Sequence, residues 1–142
     1  MTQAMQMLSD RLVALWNEGN FGLASEVYAE DVIYHQYTVP EPLRGREAAI
    51  QFVKKIKAAF PDFKLKLDET VEEGNKVFGR WSWTGTHKGE YKGIAPTGRT
   101  VDQMGVTILH VENGKIVELF DIADSYHLMR QLGAVPKAAA AQ

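Results

Sequence analysis

Cysteine is absent from the 142-residue chain. That excludes a disulfide framework, a thiolate metal site and a cysteine nucleophile together. Neither sign of charge dominates: 16 Lys and Arg face 18 Asp and Glu, a formal net charge of −2. Nucleic acid is therefore not an expected partner, because neutralising phosphates takes a clustered excess of Lys and Arg. No run approaches the ~18 consecutive apolar residues of a membrane span, so no membrane partner is expected either. The opening MTQAMQMLSDRLVALW carries Asp10 and Arg11 in its middle, with no basic leader and no small-residue cleavage site. The cytoplasm is the expected compartment on that basis. G-x-S-x-G is missing, and the glycines near 89–98 fit neither a dinucleotide nor a P-loop spacing. The four histidines, 35, 87, 110 and 127, never stand two apart on a strand or four apart on a helix. No metal is expected from them.

What is present is an ordinary apolar content, 45% hydrophobic and 24% charged, enough for one domain of about 100–150 residues without staples. That domain is expected over 1–135, with the low-complexity end 136–142 as a frayed tail. Met5, Leu8, Leu12, Leu15 and Trp16 recur at spacings of three and four, which predicts a helix over 4–18 stopped by Gly19. A short helix fits 22–29, with Leu23, Val27 and Tyr28. A third is predicted from about 46 to 60, with Phe52 on its apolar face, ended by Pro61. VIYHQY at 32–37 reads as a strand.

From residue 63 the period changes from helical to alternating. Phe63, Leu65 and Leu67 alternate with Lys64, Lys66 and Asp68; KVFGRWSWTGTH, TVDQMGVTILHV and KIVELFDIA follow, separated by Gly74-Asn75, a glycine-rich loop and Asn113-Gly114. Helices first and an antiparallel meander afterwards is α+β order, three helices packed on one face of a curved antiparallel sheet. At the end, Asp124 and Gly133 bracket a short C-terminal helix as N-cap and left-handed C′ residue.

A sheet wrapped around helices leaves a cone whose open end suits a small molecule. The Asn113-Gly114 hairpin can close with two loop residues or three. A three-residue loop, 112–114, puts Thr107 opposite Leu119 and Gly105 opposite Asp121, so that Thr107, Leu109, Val117, Leu119 and Asp121 share a face. Two readings of Asp121 follow. It is either a strand-end acid paired with a base, or a carboxylate whose lost hydration lifts its pKa from about 3.9 and suits it to proton transfer. His35 is a group that could orient a carbonyl or simply bond at a strand edge. Trp16, Trp81 and Trp83 suit the core or an aromatic wall for a flat ligand.

The set W-N-E-G at 16–19, A-E-D-V-I-Y-H at 29–35, G-R-E at 45–47, A-F-P-D-F at 59–63, G-T-H-K-G at 85–89, A-P-T-G-R at 95–99, N-G-K-I-V-E at 113–118 and R-Q-L-G at 130–133 resembles the SnoaL-like polyketide cyclase family. The resemblance implies the nuclear-transport-factor-2-like cone with a deep pocket, usually dimeric, and a ring-closing aldol reaction without metal or cofactor. It implies that Asp121 is the acid/base, and that Trp16, Tyr34 and Phe52 match pocket-lining positions. The polar partners of the family's aspartate, histidine among them, match Gly105, Thr107 and Leu119 here. The expectation is thus a cofactor-free cyclase or isomerase. Its catalytic residue is Asp121, and its hydrophobic or aromatic ligand is held by Trp16, Tyr34, His35, Phe52, Trp83, Thr107 and Leu119. A non-catalytic carrier of apolar molecules is the rival. Epoxide hydrolysis, which needs a second acid such as Asp102 and an arginine such as Arg80 or Arg99, is a third reading.

Overall fold

A computed structural model describes residues 1–135; the tail expected over 136–142 lies outside the described residues. Helix α1 (Gln3–Glu18) begins where the Thr2 side chain accepts from the Met5 backbone N–H, and it ends at Gly19, which takes the left-handed conformation at φ 63°. Its apolar stripe buries Leu8, Leu12 and Leu15. The expected helix over 22–29 is shorter. A 3-10 turn (Phe21–Leu23) leads into the one-turn α2 (Ala24–Val27), and the chain is already extended at Tyr28. Strand β1 (Tyr28–Gln36) is followed by a two-residue β2 (Leu43–Arg44) that the sequence pattern does not signal. Helix α3 (Arg46–Ala59) then buries Ala49, Val53 and Ala59.

Strands β3 (Lys64–Glu73), β4 (Lys76–Thr86), β5 (Thr100–Glu112) and β6 (Lys115–Ala123) form the expected meander. Helix α4 (Ser125–Gln131) closes the fold, with the Asp124 carboxylate accepting from the His127 N–H at 3.0 Å and Gly133 at φ 73°. The α+β architecture expected from the sequence is thus the one observed. The curved sheet runs β2-β1-β6-β5-β4-β3, and it is mixed rather than wholly antiparallel, because β1 lies parallel to β6. The reason is topological. Helix α3 carries the chain from β1 to the opposite edge, and three successive hairpins bring β6 back beside β1 in the same direction.

The β5–β6 hairpin takes the shorter of the two loops that the sequence leaves open, not the three-residue loop 112–114. Its turn has two residues, Asn113 (φ 52°) and Gly114 (φ 75°), so Glu112 faces Lys115 and Val111 faces Ile116. A bulge then leaves Val117 unpaired, and from His110–Glu118 onward the register moves by one. Thr107 therefore lies opposite Asp121, not Leu119, and Gly105 opposite Ala123. Ile116, not Val117, is the buried residue near the turn.

Two apolar clusters fill the interior. One gathers Leu8, Leu12, Leu15, Val32, Val53, Ile116 and Leu119; the other gathers Phe60, Phe63, Trp81, Trp83, Leu128 and Leu132. Trp16 packs against both.

Candidate functional site

A cavity lies between the two clusters, with about 760 Å³ of space including its open mouth. Its wall is a chain of aromatic contacts. Tyr34 meets Phe52 edge-on at 5.4 Å, Phe52 meets Trp16 at 6.1 Å, Trp16 stacks on Phe63 at 5.1 Å, and Phe63 stacks on Trp83 at 4.8 Å. These rings come from α1, β1, α3, β4 and the segment before β3, so the wall forms only when helices and sheet dock. Such offset and edge-on pairs add modestly to the area they bury. Tyr91 and Thr38 also line the cavity. The Lys92 ammonium bonds the Thr38 carbonyl at 3.0 Å, joining the loop after β4 to the loop after β1.

Among the described residues Asp121 is the one carboxylate in this lining. The bulge at Val117 aims it inward, and three strands supply its neighbours: Thr107 is its cross-strand partner on β5, Gln36 its partner on β1, and Trp81 reaches it from β4. The Tyr34 hydroxyl donates to Asp121 Oδ2. Lost hydration raises the Asp121 carboxyl above the ordinary aspartate range; Tyr34, Thr107 and Trp81 pull it part of the way back by favouring the charged form. The same burial, together with the charge on Asp121, raises the Tyr34 and Tyr28 hydroxyls, so both stay protonated at neutral pH. Thr107 Oγ1 lies near enough to be felt by Asp121, yet it makes no hydrogen bond of full geometry among the described residues, and neither does the buried Tyr28 hydroxyl.

Gly105 makes room for one of these neighbours. A Cβ there would stand 2.4 Å from the Trp81 ring and 2.5 Å from the Ile122 carbonyl oxygen, so the indole lies over a bare backbone. Farther along β5, Gln103 accepts from the Trp83 indole N–H at 2.9 Å and donates to the Asp124 carbonyl at 3.2 Å, fixing the Trp83 ring.

Of the residues expected from the sequence, Trp16, Tyr34, Phe52, Trp83, Thr107, Leu119 and Asp121 all line the cavity. His35 does not. Its pair on β6 is Phe120, on which its ring stacks at 4.3 Å, and its Nε2 meets Glu118 at 2.7 Å on the other face of the sheet. Alternation along β1 places neighbours Tyr34 and His35 on opposite faces, so only one of them reaches the ligand space. Asp102, Arg80 and Arg99 are absent from the lining. Asp102 bonds His127 at 2.8 Å, Arg80 approaches Asp68 and Glu69, and Arg99 donates to the Gln131 carbonyl. Among the described residues no acid–arginine–acid set surrounds Asp121. Among the described residues no group of three or more His, Asp and Glu is arranged to hold a metal ion.

Lining residues beyond the ligand contacts expected from the sequence include Tyr28, Gln36, Gln103 and Trp81, which the sequence left between core and aromatic wall. Trp81 shares the parity of Trp83 and Gln103 that of Thr107, so alternation alone could have found both. Tyr28 is concealed by its place in an apparent helix.

With this geometry in place, the comparisons decide the family. The family described as SnoaL-like polyketide cyclase matches residues 6–132. The chain belongs to that family. Aklanonic acid methyl ester cyclase AcmA from Streptomyces galilaeus is 34% identical over 110 residues, 72% of this chain and 76% of AcmA. Among solved structures, TsrD from Streptomyces laurentii superposes with a TM-score of 0.86 at 26% identity, covering 95% of this chain and 99% of TsrD. AclR from Streptomyces galilaeus, provisionally assigned as a hydroxylase, gives 0.81 at 26% identity over 95% of this chain and 88% of its own. The SnoaL-like fold thus accounts for the cone and the helices packed against its sheet. The Asp121 cavity sits within the stretch that the family match spans.

Proposed function

We propose that this SnoaL-like protein is a cofactor-free cyclase or isomerase for an aromatic, carbonyl-bearing small molecule, with Asp121 as its acid/base. The observation that carries this reading is a part-buried carboxylate, the one acid among the described lining residues, set into a cavity walled largely by aromatic rings, where lost hydration raises its pKa. A methylene between carbonyls is already acidic, so positioning and one proton relay supply most of what the reaction needs. The Asp121 carboxylate takes the C–H proton. The resulting carbanion attacks a second carbonyl of the same molecule, forming the new C–C bond, and the alkoxide produced takes the proton back from Asp121. Product and substrate are isomers, and the enzyme returns unchanged. Tyr34 holds one oxygen of the carboxylate, so the acid keeps one orientation through the cycle. Support also comes from AcmA, a cyclase by name, within the same family.

The test is ring closure of aromatic 1,3-dicarbonyl compounds that carry a second carbonyl within reach, followed by product chromatography. Asp121→Asn is expected to lower turnover by at least about 10²-fold; undiminished turnover in the variant defeats the assignment.

A carrier of apolar molecules remains a distinct reading. It is favoured by Gly105 and Leu119, which put no polar group where the resemblance sets the partners of the aspartate. It predicts saturable binding of apolar ligands, unchanged by Asp121→Asn, with the ligand recovered intact.

The protein is also proposed to act as a homodimer. Phe78, Met104, Val106 and Ile122 are 44%, 49%, 43% and 53% exposed on the outer sheet face of the single chain, an apolar surface of the kind that subunit contacts cover.

A further inference from the structure

Two hydroxyl groups at the cavity lack a hydrogen bond of full geometry among the described residues. The Tyr28 residue is 0% exposed and Thr107 is 4% exposed, and Tyr28 Oη and Thr107 Oγ1 are buried without a hydrogen-bond partner among the described residues. Both residues line the cavity that holds Asp121. Buried hydroxyls almost always find a partner, because leaving one unmet forfeits its hydration with nothing in return. Each could have been a Phe or a Val at no cost to packing. Retaining them makes sense if the partner arrives with the ligand.

The two groups sit on the strands that flank β6, Thr107 on β5 across from Asp121 and Tyr28 on β1 across from Ile116. Tyr28 is close enough to feel the carboxylate charge, and burial with that charge keeps its hydroxyl protonated. A protonated hydroxyl with a free hydrogen is a donor awaiting an acceptor. When the carboxylate removes a proton from carbon, negative charge leaves Asp121 and appears on the ligand oxygen next to that carbon. Donors already in place near the carboxylate stabilise that oxygen without reorganising.

We infer that Tyr28 and Thr107 form an oxygen-binding subsite, which holds the ligand carbonyl oxygen that becomes enolate-like while Asp121 carries the proton. This rests on the acid/base reading of Asp121 and adds to it the groups that receive the displaced charge. It also supplies polar contacts to a site that lacks them at positions 105 and 119.

The experiment uses binding rather than turnover, so its outcome is independent of whether Asp121→Asn abolishes ring closure. The probes are 2-naphthol, which presents one enol-like oxygen on a flat aromatic body, and naphthalene, which lacks it. Dissociation constants come from fluorescence titration of the full chain, and melting curves are recorded for each variant. Tyr28→Phe and Thr107→Val are each expected to weaken 2-naphthol by about tenfold. Naphthalene affinity should not change, and Tyr28→Phe should not melt at a lower temperature than the wild type, since it removes a hydroxyl that has no partner among the described residues. Three results overturn the inference. One is 2-naphthol affinity unchanged in both variants. Another is an equal loss for both probes accompanied by a lower melting temperature, which marks a packing role. The third is a wild-type protein that does not distinguish 2-naphthol from naphthalene.

Discussion

At the scale of single residues, the fold works against the ionised form of Asp121. Removal from water lifts its carboxyl above the ordinary range, and the Tyr34 hydrogen bond offsets only part of that. The sign of the consequence is opposite to that of a salt-bridged aspartate. The folded chain binds this proton more tightly than the unfolded chain, so the stability it contributes is complete below about pH 3.9 and is lost as pH rises through the folded value. Asparagine keeps the shape, still accepts from Tyr34 and never ionises. Asp121→Asn is therefore expected to melt a few degrees above the wild type at pH 8, with the two curves converging as pH falls toward 3.5. A variant that melts below the wild type at pH 8 contradicts the desolvation argument. Removing this acid should thus cost activity and not stability.

At the scale of elements, one unpaired residue decides whether there is a site. If the two-residue turn continued in register, Asp121 would face Val106 and point to the outer sheet surface. The bulge at Val117 inserts one residue on β6 and reverses the parity from Ile116 inward to Leu119 and Asp121 inward. Helices α1 and α3, the four meander strands and the α4 caps were legible in the sequence, because each rests on a local period or a capping residue. The parallel pairing of β1 with β6, the short β2 and the bulge were not. The first is set by contacts between segments about 85 residues apart in sequence, and the other two are one- or two-residue features too short to leave a periodic trace. The site follows the same division. Trp16, Tyr34, Phe52, Trp83, Thr107, Leu119 and Asp121, the site candidates read from the sequence, line the cavity. His35 was one position out of phase, and Tyr28 was hidden because the strand begins inside a stretch with helical spacing.

At the scale of the whole molecule, the inner sheet face makes the cavity and the outer face remains apolar. Phe78, Met104, Val106 and Ile122 line three adjacent strands there, and a two-fold axis through that surface would set each patch against its copy. Sedimentation equilibrium is expected to give twice the 15.9 kDa chain mass. Val106→Arg, which brings like charges together across such an axis, is expected to shift the mass toward a single chain. A monomeric wild type contradicts the dimer. The central claim concerns what happens inside the cone: Asp121 moves a proton to and from carbon. That step can be observed without the native ligand, by following deuterium uptake at the methyl group of 2-acetylnaphthalene in heavy water by proton NMR. The account predicts exchange that is accelerated by the wild-type protein, saturates with ketone concentration and falls to the buffer rate in Asp121→Asn. Saturable binding of the ketone with exchange no faster than buffer, or exchange equally fast in the variant, would contradict it.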